Sequence, residues 1–292
     1  MKNVWWRRPS TWLAVVALVL LLGSGYILWQ QRAGERTAAP VVQRNEVVDD
    51  FVELALARSA AGDIQAAMEA LDIAIAAAPD AAPQAYYYRA LLHLELGEDE
   101  AALEDLNKAI EQNPHFPEAF AARGNVLLSL GRPVSAVEDF NKALQFGLAD
   151  EASVYINRGL AYFQMDIHDL AEQDFQKALE LDPESAAAWF NLGSLYLQQG
   201  RDEEALEAFH KVVELNPDMA AAYFNRAIAW ANLGHTDEAI ADLEKYLTFP
   251  ITHNAQLQAQ ALLERLRGGQ GVDLDLTGDG ANQGADSATP EP

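Results

Sequence analysis

Apolar side chains recur along the chain with both a short and a long period. Between Val48 and Ile251 they fall three and four residues apart within short segments, the spacing that lines one face of an α-helix. The stretch Ala186–Pro217 shows the pattern at its clearest. Trp189, Leu192, Gly193 and Tyr196 share one face of a first segment, and Ala205, Phe209 and Val212 share one face of a second. Gly200 breaks the two apart and Pro217 ends the second. Gly193 and Ala205 carry little or no side chain, so the two predicted helices can approach closely. Asp202, just past the break, is expected to cap the second helix through its carboxylate.

The same helix–turn–helix unit starts at Val48, Pro83, Pro117, Ala152, Ala186 and Ala220, in steps of 34 or 35 residues. The turn inside each unit falls at Gly62, Gly97, Gly131, Gly200 and Gly234; the fourth unit has Asp166 there, a residue that tolerates left-handed backbone. A small residue recurs at Ala67, Ala102, Ala136, Ala171, Ala205 and Ala239. A second recurs at Ala74, Ala109, Ala143 and Ala178, then gives way to Val212 and Tyr246. Prolines close the units at Pro79, Pro114, Pro183 and Pro217, with Leu148 and Pro250–Ile251 as departures. These signatures resemble the tetratricopeptide-repeat family across six repeats, with the fifth the fullest match. The first departs at Arg58 and the sixth at Tyr246, as terminal units with one buried side do. The resemblance implies an all-α, right-handed solenoid whose concave face is lined by the first helix of each repeat. It also implies binding of peptides or protein partners, without catalysis.

The flanking sequence divides the chain further. Residues 1–32 read as a transmembrane signal anchor: Trp12–Trp29 is an uncharged, mostly apolar run of eighteen residues, flanked by Trp5, Trp6, Tyr26 and Trp29. Lys2, Arg7 and Arg8 precede the run, which predicts a cytoplasmic N-terminus and repeats on the extracytoplasmic side, periplasmic or at the cell surface. Gly23-Ser24-Gly25 also offers a cleavage site, the alternative reading as a signal peptide. Residues 33–47 read as a polar linker, 48–267 as the solenoid, and 268–292 as a disordered acidic tail. Within the solenoid, Thr252–Arg267 is predicted to be a capping helix that buries Leu257, Ala261, Leu262 and Leu266. In the tail, Asp273, Asp275, Thr277 and Asp279 alternate around Gly278 like the start of a calcium loop. Gly284 stands where the bidentate Glu belongs, so no metal is expected.

A formal charge of −24 argues against nucleic acid, whose phosphates need Lys and Arg. The absence of cysteine excludes disulfides and thiol chemistry. The six histidines show no ligand spacing, and no phosphate loop, nucleophile elbow or HExxH occurs. No enzyme activity and no small-molecule cofactor are therefore expected.

Two rows of polar residues stand out. Arg89, Arg123, Arg158 and Arg226 share one place in four first helices, and sixteen residues on stand Asp105, Asp139, Asp174 and Asp242. The other two repeats carry Leu54 with Ala70 and Leu192 with Ala208. Arg accompanies Asp and Leu accompanies Ala, which predicts structural ion pairs between packed helices, because an unpaired buried charge is costly. The second row is Asn157, Asn191 and Asn225, which resembles the asparagine ladder in the repeat domain of O-GlcNAc transferase; the first three repeats have Glu53, Tyr88 and Ala122 instead. An amide both donates and accepts, so such a row can hold an extended peptide backbone. Ile156, Phe190, Phe224 and the earlier Tyr87 lie beside it as apolar contacts, and Asn125 and Gln164 extend the polar surface. Alternatively, the Asn side chains bond only to neighbouring backbone, and the Phe rings belong in part to packing between repeats. The expected function is a membrane-anchored scaffold that binds extended segments of envelope partners. A chaperone-like assembly factor for secreted or membrane clients, and a self-assembling structural protein, are the alternatives.

Overall fold

The computed structural model describes residues 41–269, and the apolar run Trp12–Trp29 and the acidic tail after Gly269 lie outside them. Among the described residues the chain is an all-α helix-pair solenoid with thirteen helices and no strand. It divides into two compact units, one ending at Ala82 and one beginning at Pro83.

In the first unit, α1 (Val41–Ala60) packs against α2 (Ile64–Ala77). Helix α1 begins inside the stretch expected to be linker, seven residues before the predicted repeat start at Val48. Val48, Val52 and Ala55 of α1 are buried with Ala67, Leu71 and Ala74 of α2. The Asp63 carboxylate accepts the Ala66 N–H at 3.2 Å and caps α2.

The second unit holds five helix pairs and a final helix. The pairs are α3 (Pro83–Glu95) with α4 (Asp99–Gln112), α5 (Pro117–Ser129) with α6 (Pro133–Ala143), α7 (Ala152–Gln164) with α8 (His168–Leu181), α9 (Ala186–Gln198) with α10 (Asp202–Leu215), and α11 (Ala220–Asn232) with α12 (Thr236–Tyr246). The second helix of each pair packs on the first of the next, and α13 (His253–Arg267) packs on α12. All five first helices of this unit start where the sequence period places them.

The turn within each pair repeats in atomic detail. Gly62, Gly97, Gly131, Gly200 and Gly234 take φ between 68° and 82°, and Asp166 takes φ 58° in the fourth repeat. The next N–H reaches back five residues, as in Ile167 to the Tyr162 carbonyl and Arg201 to the Tyr196 carbonyl, both at 2.9 Å. Asp202 does not cap α10: Arg201 holds that position without a side-chain bond, and the Asp202 carboxylate instead accepts from Asn232 at 2.8 Å.

Volume is matched across each pair. Gly124, Gly159 and Gly193 face Phe140, Phe175 and Phe209, and a Cβ added at these glycines would lie 2.7–2.9 Å from the ring. At the same sixteen-residue separation, Ala55, Ala90 and Ala227 stand with Leu71, Leu106 and Leu243, all six buried. A missing methyl on one helix makes room for a larger side chain on the other.

Between the third and fourth repeats no proline closes the unit. The chain turns through Leu144–Leu148, with Gly147 at φ 141°, and Phe146 folds back on His115 and Phe120 at ring distances of 4.8 and 5.8 Å. In the capping helix the Thr252 hydroxyl accepts the Ala255 N–H. The buried face of α13 is Ala259, Leu262, Leu263 and Leu266. The expected face was rotated by part of a turn: Ala261 is exposed and Leu257 is 50% exposed. The docking direction of a terminal helix is set by the surface it covers, and its own period leaves two adjacent stripes nearly equal.

Candidate functional site

The four Arg–Asp pairs are all formed, each within its repeat. In every case Nε–H and Nη2–H donate to the two carboxylate oxygens of one Asp, at 2.6–2.8 Å. The carboxylates are buried and the guanidinium groups only partly exposed. This side-on geometry satisfies charge and hydrogen bonding together. Two of the arginines also reach the preceding repeat: Arg123 donates to Asn107 at 2.7 Å and Arg158 to Asn141 at 2.6 Å. The hydrogen bonds that Arg158 donates to Asp174, with the carboxylate's charge, raise the Arg158 pKa above its ordinary value against the opposing pull of burial. His93 adds to the first pair, with Nδ1 2.6 Å from Glu98 and Nε2 3.7 Å from Asp105.

The fifth repeat, which has Leu192 against Ala208, is tied to the fourth by other means. Both Leu192 and Ala208 are buried. Arg201 donates to Glu172 at 2.8 Å, the Tyr196 hydroxyl donates to Glu172 at 3.0 Å, and the Arg201 guanidinium lies 4.0 Å above the Tyr196 ring. These cations are occupied within the fold.

The three asparagines are not equivalent. Asn157 donates its amide to Asn125 of the preceding repeat at 2.8 Å. Asn225 is buried, with its amide nitrogen 3.5 Å from the Ser194 hydroxyl of the repeat before it. Asn191 is half-buried and makes no side-chain hydrogen bond within the described residues. The reason lies three places further along each first helix. That place is Asn125 before Asn157, Ser194 before Asn225, and Leu160 before Asn191. Leu160 has no polar atom to offer, so the middle amide keeps its full capacity. Gln164 and Gln198 lie exposed one turn beyond on α7 and α9.

The neighbouring apolar residues divide their surface between core and solvent. Phe190 meets Phe209 edge to face at 5.9 Å, and Phe224 lies 5.1 Å from Tyr246, contacts within the repeat. Both remain half-buried, as does Ile156. Tyr87 sits among Tyr88 and Phe116 at 5.2 and 5.0 Å; burial, and then the Glu118 charge, pushes its hydroxyl pKa up. Tyr87 thus belongs to the packing of the second and third repeats, away from the asparagine row.

Among the described residues no group of three or more His, Asp or Glu side chains is placed to hold a metal ion. The Ser194 and Leu160 places and the Glu172–Arg201 link went unread in the sequence, although the alternation of Asn125, Leu160 and Ser194 at one repeat position was visible there.

Tetratricopeptide-repeat family models match residues 83–116, 100–153, 156–213 and 192–267, together more than half of the chain. The chain is similar to a solved structure of YrrB, described as a TPR protein with an unusual peptide-binding site: 27% identity, TM-score 0.54, covering 66% of this chain and 99% of that one. It is similar to a MamA structure at 25% identity and TM-score 0.51, covering 57% of this chain and 90% of that one. The Pseudomonas aeruginosa pilF structure shares the fold at 20% identity and TM-score 0.66, covering 76% of this chain and 99% of that one. No curated protein matches the chain.

Proposed function

Because the chain belongs to the tetratricopeptide-repeat family, we propose that it is a non-catalytic scaffold for protein–protein interaction that holds an extended partner segment along the first helices of repeats four to six. One observation carries this reading: Asn191 stands at the centre of the row, half-buried, with its donor and acceptor unspent between two asparagines that are already bonded. Phe190 and Phe224 flank it with half-exposed rings that can take apolar side chains. YrrB, similar in sequence and fold, is described as having a peptide-binding site, which supports the same use here.

The scaffold is membrane-anchored in this reading, with the repeats on the extracytoplasmic side. That part rests on the sequence of Trp12–Trp29 and the preceding Lys2, Arg7 and Arg8. No helix among the described residues is long and apolar enough to cross a membrane.

A photo-crosslinking amino acid at Phe224, introduced in cells with and without Asn191→Ala, tests the proposal. A discrete crosslinked protein that disappears in the Asn191→Ala background is the expected result. Crosslinks to other copies of the chain alone, unchanged by the substitution, would replace the scaffold with a self-assembling structural protein.

A further inference from the structure

The face that carries the asparagine row is empty of available charge. Helix α9 has no charged residue, α7 has only Arg158 and α11 only Arg226, and both arginines are bound side-on to Asp174 and Asp242. None of the three helices carries an acidic residue, in a chain whose formal charge is −24. The second helices beside them are acidic from their first turns: Asp169 in α8, Asp202 to Glu204 in α10, Asp237 and Glu238 in α12. Because α9 lies against both α7 and α11, the neutral stretch is continuous across three repeats. Its exposed or half-exposed positions include Leu160, Gln164, Asn191, Ser194, Gln198 and Asn232. Carboxylates mark its borders. Glu184 and Asp218 are exposed in the turns that lead into α9 and α11, and Asp202 lies at the far end, held by Asn232.

Resting on the scaffold reading above, we infer that the segment this face recognises is uncharged over the length that crosses α7, α9 and α11. A charged side chain laid over the strip loses hydration and meets no counter-ion, since the only two cations there are already committed. An acidic one also approaches the carboxylates at the borders. A neutral extended backbone has the opposite balance: the Asn191 amide can donate and accept, and the rings of Phe190 and Phe224 cover apolar side chains. The chain's own tail does not meet this description, because Asp273, Asp275, Asp279, Asp286 and Glu291 are spread along it.

A random-peptide phage library selected on the full-length protein tests the inference, with the selected peptides measured by fluorescence anisotropy on wild type, Asn191→Ala and Ala187→Lys. Ala187 is exposed at the start of α9, so the lysine adds a charge to the strip without burying it. The expected peptides share an uncharged core, lose affinity on Asn191→Ala, and change Kd less than about twofold between low and high salt. Selection on Ala187→Lys then turns to acidic peptides. Wild-type peptides with a shared Asp, Glu, Lys or Arg at the core, weakened about tenfold or more by salt yet sensitive to Asn191→Ala, would overturn the neutral-segment inference and leave the scaffold standing. Peptides indifferent to Asn191→Ala, or an empty selection, would overturn the scaffold reading and this inference with it.

Discussion

Arg158 and Asp174 meet side-on across the fourth repeat, with Nε–H and Nη2–H donating at 2.8 and 2.7 Å to a buried carboxylate. The fifth repeat fills the same two places with Leu192 and Ala208. Asp174→Ala leaves the guanidinium partly buried without its anion and is expected to cost about 3 kcal/mol. Arg158→Leu with Asp174→Ala imports the fifth-repeat solution and should recover most of that loss. Urea denaturation of the two variants beside wild type reads both effects. A double variant no more stable than the single one would show that the apolar pair depends on its own neighbours.

Gly159 and Phe175 form one of the two tightest volume-matched pairs, with only 2.7 Å between a built Cβ and the ring, as at Gly124 and Phe140. Gly159→Ala alone is expected to destabilise by about 1–3 kcal/mol through overpacking. Adding Phe175→Leu reproduces the Ala90–Leu106 arrangement and should restore much of the loss. Thermal unfolding of the single and double variants checks this, and equal midpoints for the two would remove compensation from the explanation.

His210 lies 5.7 Å from the Trp230 ring, and its pKa is depressed below the ordinary 6.5, first by burial and then by the Arg226 charge, against an opposing effect of Asp242. The unfolded chain therefore takes up this proton at a higher pH than the folded one. The His210 contribution is intact above about pH 6.5 and is lost as the pH falls through the folded value. His210→Asn should lose less of its thermal midpoint than wild type does on acidification below about pH 6.5. Parallel curves for the two proteins would show that His210 contributes nothing to acid sensitivity.

Much of the architecture was legible because the repeat makes the same local statement again and again. Gly at the turn, Ala at the close contact and Pro at the exit each act through backbone geometry or helix separation within one unit, so spacing alone locates them. The Arg–Asp pairs were legible for a related reason. Two places that change together across six repeats are in contact, and contact between charge and carboxylate has one favourable outcome. Where a residue's role depends on a surface beyond its own unit, spacing says less. Leu257 and Ala261 lie on a regular helical stripe, but α13 docks through the stripe beside it. Asp202 has the chemistry of a cap and sits one residue too late to act as one. Val41–Val47 looks polar and irregular, yet continues the helix that the first repeat begins.

The sequence by itself determined the all-α repeat architecture, the starts of the first helices from Pro83 onward and the four ion pairs, because each follows from periodicity or from paired substitution inside one unit. The tertiary structure decided which asparagine keeps its hydrogen-bonding capacity. Asn157, Asn191 and Asn225 are the same residue at the same place in three repeats. Their difference follows the residue at one equivalent place of the preceding repeat: Asn125 and Ser194 supply partners to Asn157 and Asn225, and Leu160, at that place before Asn191, has no polar side-chain atom. A side chain's free polar atoms are set by what packs against it, and that contact, about thirty residues away along the chain, forms only when one repeat lies on the next.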